Sequence, residues 1–285
     1  MGEDIQAAPF GEIRLAGAAN GVALSTTAAF TPFPIGSQYL ILSPRNFATA
    51  VVARYSLNPF LIVLKTTDAL VAASNATDAS RNMQDGDTGT SLSLNSFDTA
   101  ANGDYIYVGS HIPFRGVRVI IGSANAVATT LTVKYWKSDS TWASITPTDG
   151  TASGGATFAT SGNVTWTVPT DWVTAALNTA FAGGGTGDTT LLSLPGPGIN
   201  PALEKTVYWT RWETNAAFTN PTSATGMMAM NRATTYAEIA TGVTREWRIK
   251  THAFPGIGCV EALTDAGTGN LLIEVATIGV GSKFA

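Results

Sequence analysis

The segment LTVKYWKSDSTWASITPTDG, residues 131–150, decides the fold class. Its first six residues alternate: Leu131, Val133 and Tyr135 fall on one face, Thr132, Lys134 and Trp136 on the other. Period-two alternation with β-branched and aromatic residues is the pattern of a strand in a sheet. The polar run KSDS then turns the chain, and Trp142 opens the return arm. Two tryptophans around a turn fit either a stacking platform for sugars or the packed body of a hairpin. The alternation makes one of Tyr135 and Trp136 a core residue and leaves the other exposed or at an interface. Core and contact roles are the preferred reading.

The same signature recurs outward in both directions. Short apolar or alternating runs stand at residues 38–43 (QYLILS), 50–56 (AVVARYS), 60–66 (FLIVLKT), 105–109 (YIYVG) and 116–122 (GVRVIIG). Beyond the hairpin come residues 163–169 (NVTWTVP), 206–213 (TVYWTRWE), 246–252 (EWRIKTH) and 270–280 (NLLIEVATIGV). In TVYWTRWE, Val207, Trp209 and Arg211 lie opposite Tyr208, Thr210 and Trp212. Gly (29) and Pro (13) interrupt most windows long enough for a helix. Two short helices are allowed, at residues 171–183, capped by Asp171 and ended by Gly183, and at residues 233–242. The predicted class is all-β, a β-sandwich or jelly-roll-like arrangement in two β modules. Four regions are expected: an N-terminal arm over residues 1–30, an N-terminal β region over 31–90, a jelly-roll-like module over 91–220, and C-terminal strands over 221–285 that return to the N-terminal β region. Residues 75–91 read as a linker or long loop, and residues 182–201, rich in Gly and Pro, as irregular.

Composition excludes several chemistries. Charged residues are 13% of the chain and the formal net charge is -4, with no cluster of cations of the kind that releases counterions from DNA. The most basic stretch, residues 245–250 (REWRIK), is diluted by Glu246. Direct nucleic-acid binding is therefore not expected. Cys259 is the one cysteine, so no intrachain disulfide forms and no Cys-rich metal site exists; it reads as a buried small apolar residue. The longest apolar run, residues 60–64, is too short to span a bilayer. The N-terminus carries no signal-peptide pattern, so the expectation is a soluble, non-membrane protein made in a cytoplasm.

No catalytic residue, cofactor site or metal site is assigned. His111 and His252 stand far apart, and no nucleophile elbow accompanies either. Asp85 and Asp87, and likewise Asp149, sit beside Gly, which reads as turn chemistry; the later ligands of a Ca²⁺ loop are missing. The Gly runs at residues 153–155 and 182–187 lack the Lys of a phosphate loop. Asn75 and Asn163 open Asn-x-Thr tripeptides, which matter only in a eukaryotic secretory pathway.

A set of motifs between residues 92 and 220 resembles a module of tailed-bacteriophage virion proteins. They are YVG...PF.GV (Tyr107 to Val117), the LTVKYW…W hairpin, the DGT turn (Asp149 to Thr151), VTWTVP.DW (Val164 to Trp172) and YW.R (Tyr208 to Arg211). The resemblance implies a non-enzymatic structural component of a phage virion, assembled in the host cytoplasm. An accessory capsid protein, decorating or cementing the head or forming a head-fibre base, is the first expectation. A tail, adaptor or fibre component is the runner-up, and a carbohydrate-binding module contacting host glycans is the alternative from another class. Implied partners are the major capsid protein or tail components and further copies of the chain, with a trimer as the guess. No catalytic residues carry over.

Overall fold

The computed structural model describes residues 13–16, 21–33, 37–47, 51–66, 76–95, 97, 104–175, 206–240, 243–248 and 257–277. Among them every regular element is a strand, and the chain is all-β. The first seven strands are β1 (Ile13–Ala16), β2 (Val22–Leu24), β3 (Ala29–Pro32), β4 (Ser37–Arg45), β5 (Ala53–Pro59), β6 (Ile62–Thr66) and β7 (Ala76–Asp78). The next eight are β8 (Leu92–Ser93), β9 (Ile106–Ser110), β10 (Phe114–Ser123), β11 (Leu131–Trp136), β12 (Trp142–Ile145), β13 (Thr148–Asp149), β14 (Gly162–Thr165) and β15 (Thr174–Ala175). The last six are β16 (Val207–Thr214), β17 (Ser223–Asn231), β18 (Ala237–Ile239), β19 (Arg245–Arg248), β20 (Ile257–Thr264) and β21 (Gly269–Thr277).

The chain forms two compact units. The smaller comprises Met1–Ser56, Thr235–Gly256 and Val260–Ala285, so it is built from both ends of the sequence. One of its sheets runs β1-β21-β4-β19, with β2 also pairing β21. Leu40 and Leu42 on β4 share a buried face with Leu271 and Ile273 on β21. A second sheet runs β18-β5-β20-β3, and β5 and β20 each continue into residues counted with the larger unit.

Two expectations change here. Within the region read as an arm, Ile13–Ala16 and Val22–Leu24 are strands on β21. Gly21 permits that docking: at φ +91° it brings its backbone against Leu271, whose carbonyl oxygen would lie 2.4 Å from any Cβ. The helix allowed at residues 233–242 is instead β18, paired with β5. There Ile239 is buried and the Tyr236 hydroxyl donates to the buried Glu261, contacts that override a weak local helix preference.

The larger unit, Leu57–Thr234 with Ile257–Cys259, is a β-sandwich. A five-stranded sheet runs β13-β14-β10-β17-β8, and a seven-stranded sheet runs β12-β11-β16-β9-β6-β7 with β15 also on β16. One core lies between them: Val117, Val119, Val164, Met227 and Ala229 from the first sheet meet Val63, Ile106, Val108, Val133 and Trp212 from the second. Trp166 and Trp212 touch edge to face across it, 6.3 Å between centroids.

The boundary expected near residue 90 falls inside this unit. The polar stretch read as a linker or long loop is a loop that closes the sandwich. Ala79 and Met83 enter its core. Ser80 Oγ accepts from Val63 N at 2.9 Å, and Gln84 bonds both backbone groups of Leu61, at 2.8 and 2.6 Å. Side-chain amides and hydroxyls thus continue the pairing with β7 over Leu61 and Val63, beyond the end of that strand. The candidate boundary near residue 221 falls just before β17, a central strand. The helix allowed at residues 171–183 is not formed over its described part: Trp172 bridges Lys137, and β15 follows; residues 176–183 lie outside the described residues.

Candidate functional site

β16 decides where the chemistry sits. Its sequence VYWTRWET is buried at nearly every position, so it cannot have a solvent face. Register assigns the two sides. Thr210, Trp212 and Thr214 oppose Tyr135, Val133 and Leu131 and face the sandwich core. Trp209, Arg211 and Glu213 face outward with Lys134, Tyr107 and Gly109.

That outer face carries its own cluster: Ile62, Leu64, Tyr107, Trp136, Ala175, Val207 and Trp209 are buried, with Tyr105, Trp142 and Val173 packed against them. Gly109 makes room for it, because a Cβ there would stand 2.6 Å from the Trp209 ring. Trp209 Nε1 donates to Ala175 O at 3.2 Å, and Trp172 Nε1 to Trp209 O at 3.1 Å. Trp136 and Trp142 are directly opposed across the hairpin, 5.3 Å apart and edge to face.

Three charges share this face. Arg211 donates through Nε to Glu213 Oε1 at 2.7 Å, and Nη2 lies 2.7 Å from the same oxygen. Lys134 Nζ reaches Glu213 Oε2 at 2.9 Å. The guanidinium also lies 4.5 Å from the Tyr105 ring centroid and 5.0 Å from that of Trp142. Residues two apart on a strand share a face, and Lys134 is directly opposite Arg211 in register, so these residue types at this spacing must meet. A fixed guanidinium between aromatic rings, with a second cation beside it, suits binding of an acceptor-bearing group.

The hairpin question is answered by two cores. Tyr135 joins the sandwich core, and its hydroxyl donates to Asp171 Oδ1 at 2.8 Å. Burial, and next that hydrogen bond to a carboxylate, push its pKa up to about 12. Trp136, expected to be exposed or at an interface if Tyr135 is core, is only 2% exposed. It is not a surface platform; Trp142 is the partly exposed member of the pair.

The other singled-out residues are structural where described. Asp85 Oδ1 accepts from Asp87 N at 2.8 Å, Asp87 Oδ1 from Gly89 N at 2.8 Å, and both Asp85 carboxylate oxygens accept from Thr90. Asp149 likewise takes Thr151 N, Thr151 Oγ1 and Thr157 Oγ1, closing the DGT turn. Cys259 is buried, its thiol directed at Ala229 O. Asn163 Oδ1 accepts from Arg118 Nη1 at 3.4 Å. His111 is exposed between β9 and β10, with partial desolvation lowering its pKa. His252 and Asn75 lie outside the described residues. Among the described residues no group of three or more His, Cys, Asp and Glu is gathered to hold a metal ion, and no helix is long and apolar enough to cross a membrane.

Sequence reasoning missed the Lys134, Arg211 and Glu213 cluster. Its signal was present: an Arg and a Glu aligned with Val207 and Trp209 on one strand face. Compared with protein-family models, curated proteins and solved structures, the chain matches none.

Proposed function

We propose that this chain is a non-enzymatic structural component of a bacteriophage virion that acts through subunit–subunit contacts, in the first place as an accessory capsid protein. One observation carries the reading: the residues that make the resemblance are consumed by the fold of one unit. Gly109 accommodates Trp209, and Gly116 brings β10 against Val164 O. Trp166 Nε1 donates to Phe114 O at 3.0 Å, Asp171 takes the Tyr135 hydroxyl, and Asp149 closes its turn. A motif set made of packing, turn and hydrogen-bonding positions supports a shared architecture rather than a shared reaction. The low charge, 13%, suits large contact surfaces between subunits.

The test is placement in an assembled particle. Immunogold labelling should find copies by the hundred over the head shell. A few copies at a single vertex or along the tail would move the chain to the tail, adaptor or fibre class, and absence from purified particles would end the virion reading. For the purified chain, light scattering should give a multiple of the 29.6 kDa mass, with the trimer as the first expectation.

A further inference from the structure

On the outer face of the seven-stranded sheet, Arg211 carries a donor that the fold does not use. Arg211 is nine-tenths buried, and its Nη1 is buried without a hydrogen-bond partner although Nε and Nη2 are both engaged by Glu213. Guanidinium groups are not deprotonated in proteins, so the N–H stays a charged donor. Buried polar atoms are almost always satisfied, so a charged donor without an acceptor is a place where an incoming acceptor gains a strong hydrogen bond.

We propose that this corner, with Arg211 between Tyr105 and Trp142 and Lys134 beside it, binds a carboxylate-bearing saccharide. Charge sets the first requirement. Lys134 and Arg211 bring two cations to the single carboxylate of Glu213, leaving a surplus of one positive charge that selects an anion. The orphan donor sets the second, because the ligand must offer an acceptor at Nη1, and carboxylate oxygens make the strongest partner for a guanidinium. The rings set the third. Tyr105 and Trp142 are partly exposed while Tyr107, Trp136 and Trp209 beneath them are closed off, so the rim offers aromatic surface to a pyranose. Access is local. Trp142 belongs to β12, which among the described residues pairs only with β11 at the edge of the sheet, and residues 138–141 of the turn before it are exposed. The site does not depend on the virion reading.

Calorimetric titration of the full chain with N-acetylneuraminic acid, glucuronic acid, glucose and a glutamate peptide tests the proposal. Both acidic sugars should bind saturably, with intrinsic tryptophan fluorescence changing in step. Glucose should not bind, and the glutamate peptide should bind at least about tenfold more weakly, because it has no ring for the aromatic rim. Arg211→Lys keeps the charge and loses the planar fork, so it should weaken the acidic sugars by about tenfold or more with circular dichroism unchanged. Lys134→Gln, at a quarter-exposed position where folding is less at risk, should weaken them by about threefold to tenfold. The proposal is overturned by no saturable binding of either acidic sugar, by equal binding of the glutamate peptide, or by unchanged affinity in folded variants.

Discussion

The two faces of the seven-stranded sheet are buried to a similar depth and built from different chemistry. On the inner side Trp212 is fully buried, its ring edge to face with Phe158 and Trp166 and its Nε1 donating to Thr210 Oγ1. That side serves the sandwich. On the outer side Trp209 is just as buried, but it shares its face with Arg211, Glu213 and Lys134. A core has no need of three charges, since apolar residues of similar volume hold such a space at least as well. Burial therefore does not separate scaffold from site in this molecule; the placement of charge does.

Matched truncations are the strongest challenge to this comparison. Trp212→Ala and Trp209→Ala should each lower unfolding stability by about 3–5 kcal/mol, read from guanidinium denaturation midpoints. The outer cluster is a true core only if the second value falls in that range. A cost of about 0.5 kcal/mol or less, typical of surface substitutions, would reduce the outer face to decoration. Next in size is Glu213→Gln, which leaves Arg211 and Lys134 without their counter-charge. It should cost about 3 kcal/mol by the same measurement, whereas an inner polar change such as Tyr135→Phe, which loses the one hydrogen bond to Asp171 Oδ1 at 2.8 Å, should cost only about 1 kcal/mol. Equal costs would show that the charges are not specially placed. Gly109→Ala comes third. Its new methyl would meet the Trp209 ring at 2.6 Å, so about 1–3 kcal/mol is expected, with the indole fluorescence shifted as the ring is displaced.

The inner face was far more legible in the sequence than the outer. Alternation in LTVKYW and TVYWTRWE gave the strands and separated their two sides, because a two-residue period is a local property. What covers a side is not local. Once Tyr135 was a core residue, Trp136 had to go elsewhere, and no periodicity says that a second cluster receives it. The central strand β17 escaped for a related reason: SATGMMAMN has weak strand formers and is buried on both faces, so it neither alternates nor looks β-like. Residues 79–84 lie in the stretch read as a linker or long loop and form a loop, but two apolar residues in a polar run carry little signal that Ala79 and Met83 both reach the core. Of the candidate site, the residue types and their spacing were visible, but the meeting of Lys134 with Glu213 needed the pairing of β11 with β16.

The smallest effect divides the two adjacent residues on which the hairpin turns. Tyr135→Phe keeps the ring in the inner core and deletes one hydrogen bond to Asp171, so it should cost about 1 kcal/mol at neutral pH. Its dependence on pH is the more telling part. Burial, and then the Asp171 bond, raise the Tyr135 pKa from 10.0 to about 12. A group whose folded pKa lies above its unfolded value contributes fully below the unfolded value and loses that contribution as pH rises through the folded one. The wild-type chain should therefore lose stability from this group between about pH 10 and 12, and Tyr135→Phe should not. The gap between the two proteins should narrow across that window in denaturation curves taken at each pH, with the other tyrosines cancelling in the difference. Trp136→Phe, one residue along and on the other face, has no titrating group to lose, so its deficit should stay level over the same range. A level deficit for Tyr135→Phe as well would mean that Tyr135 is not held in the inner core against Asp171, and the division of the hairpin between two faces would fail at the residue that defines it.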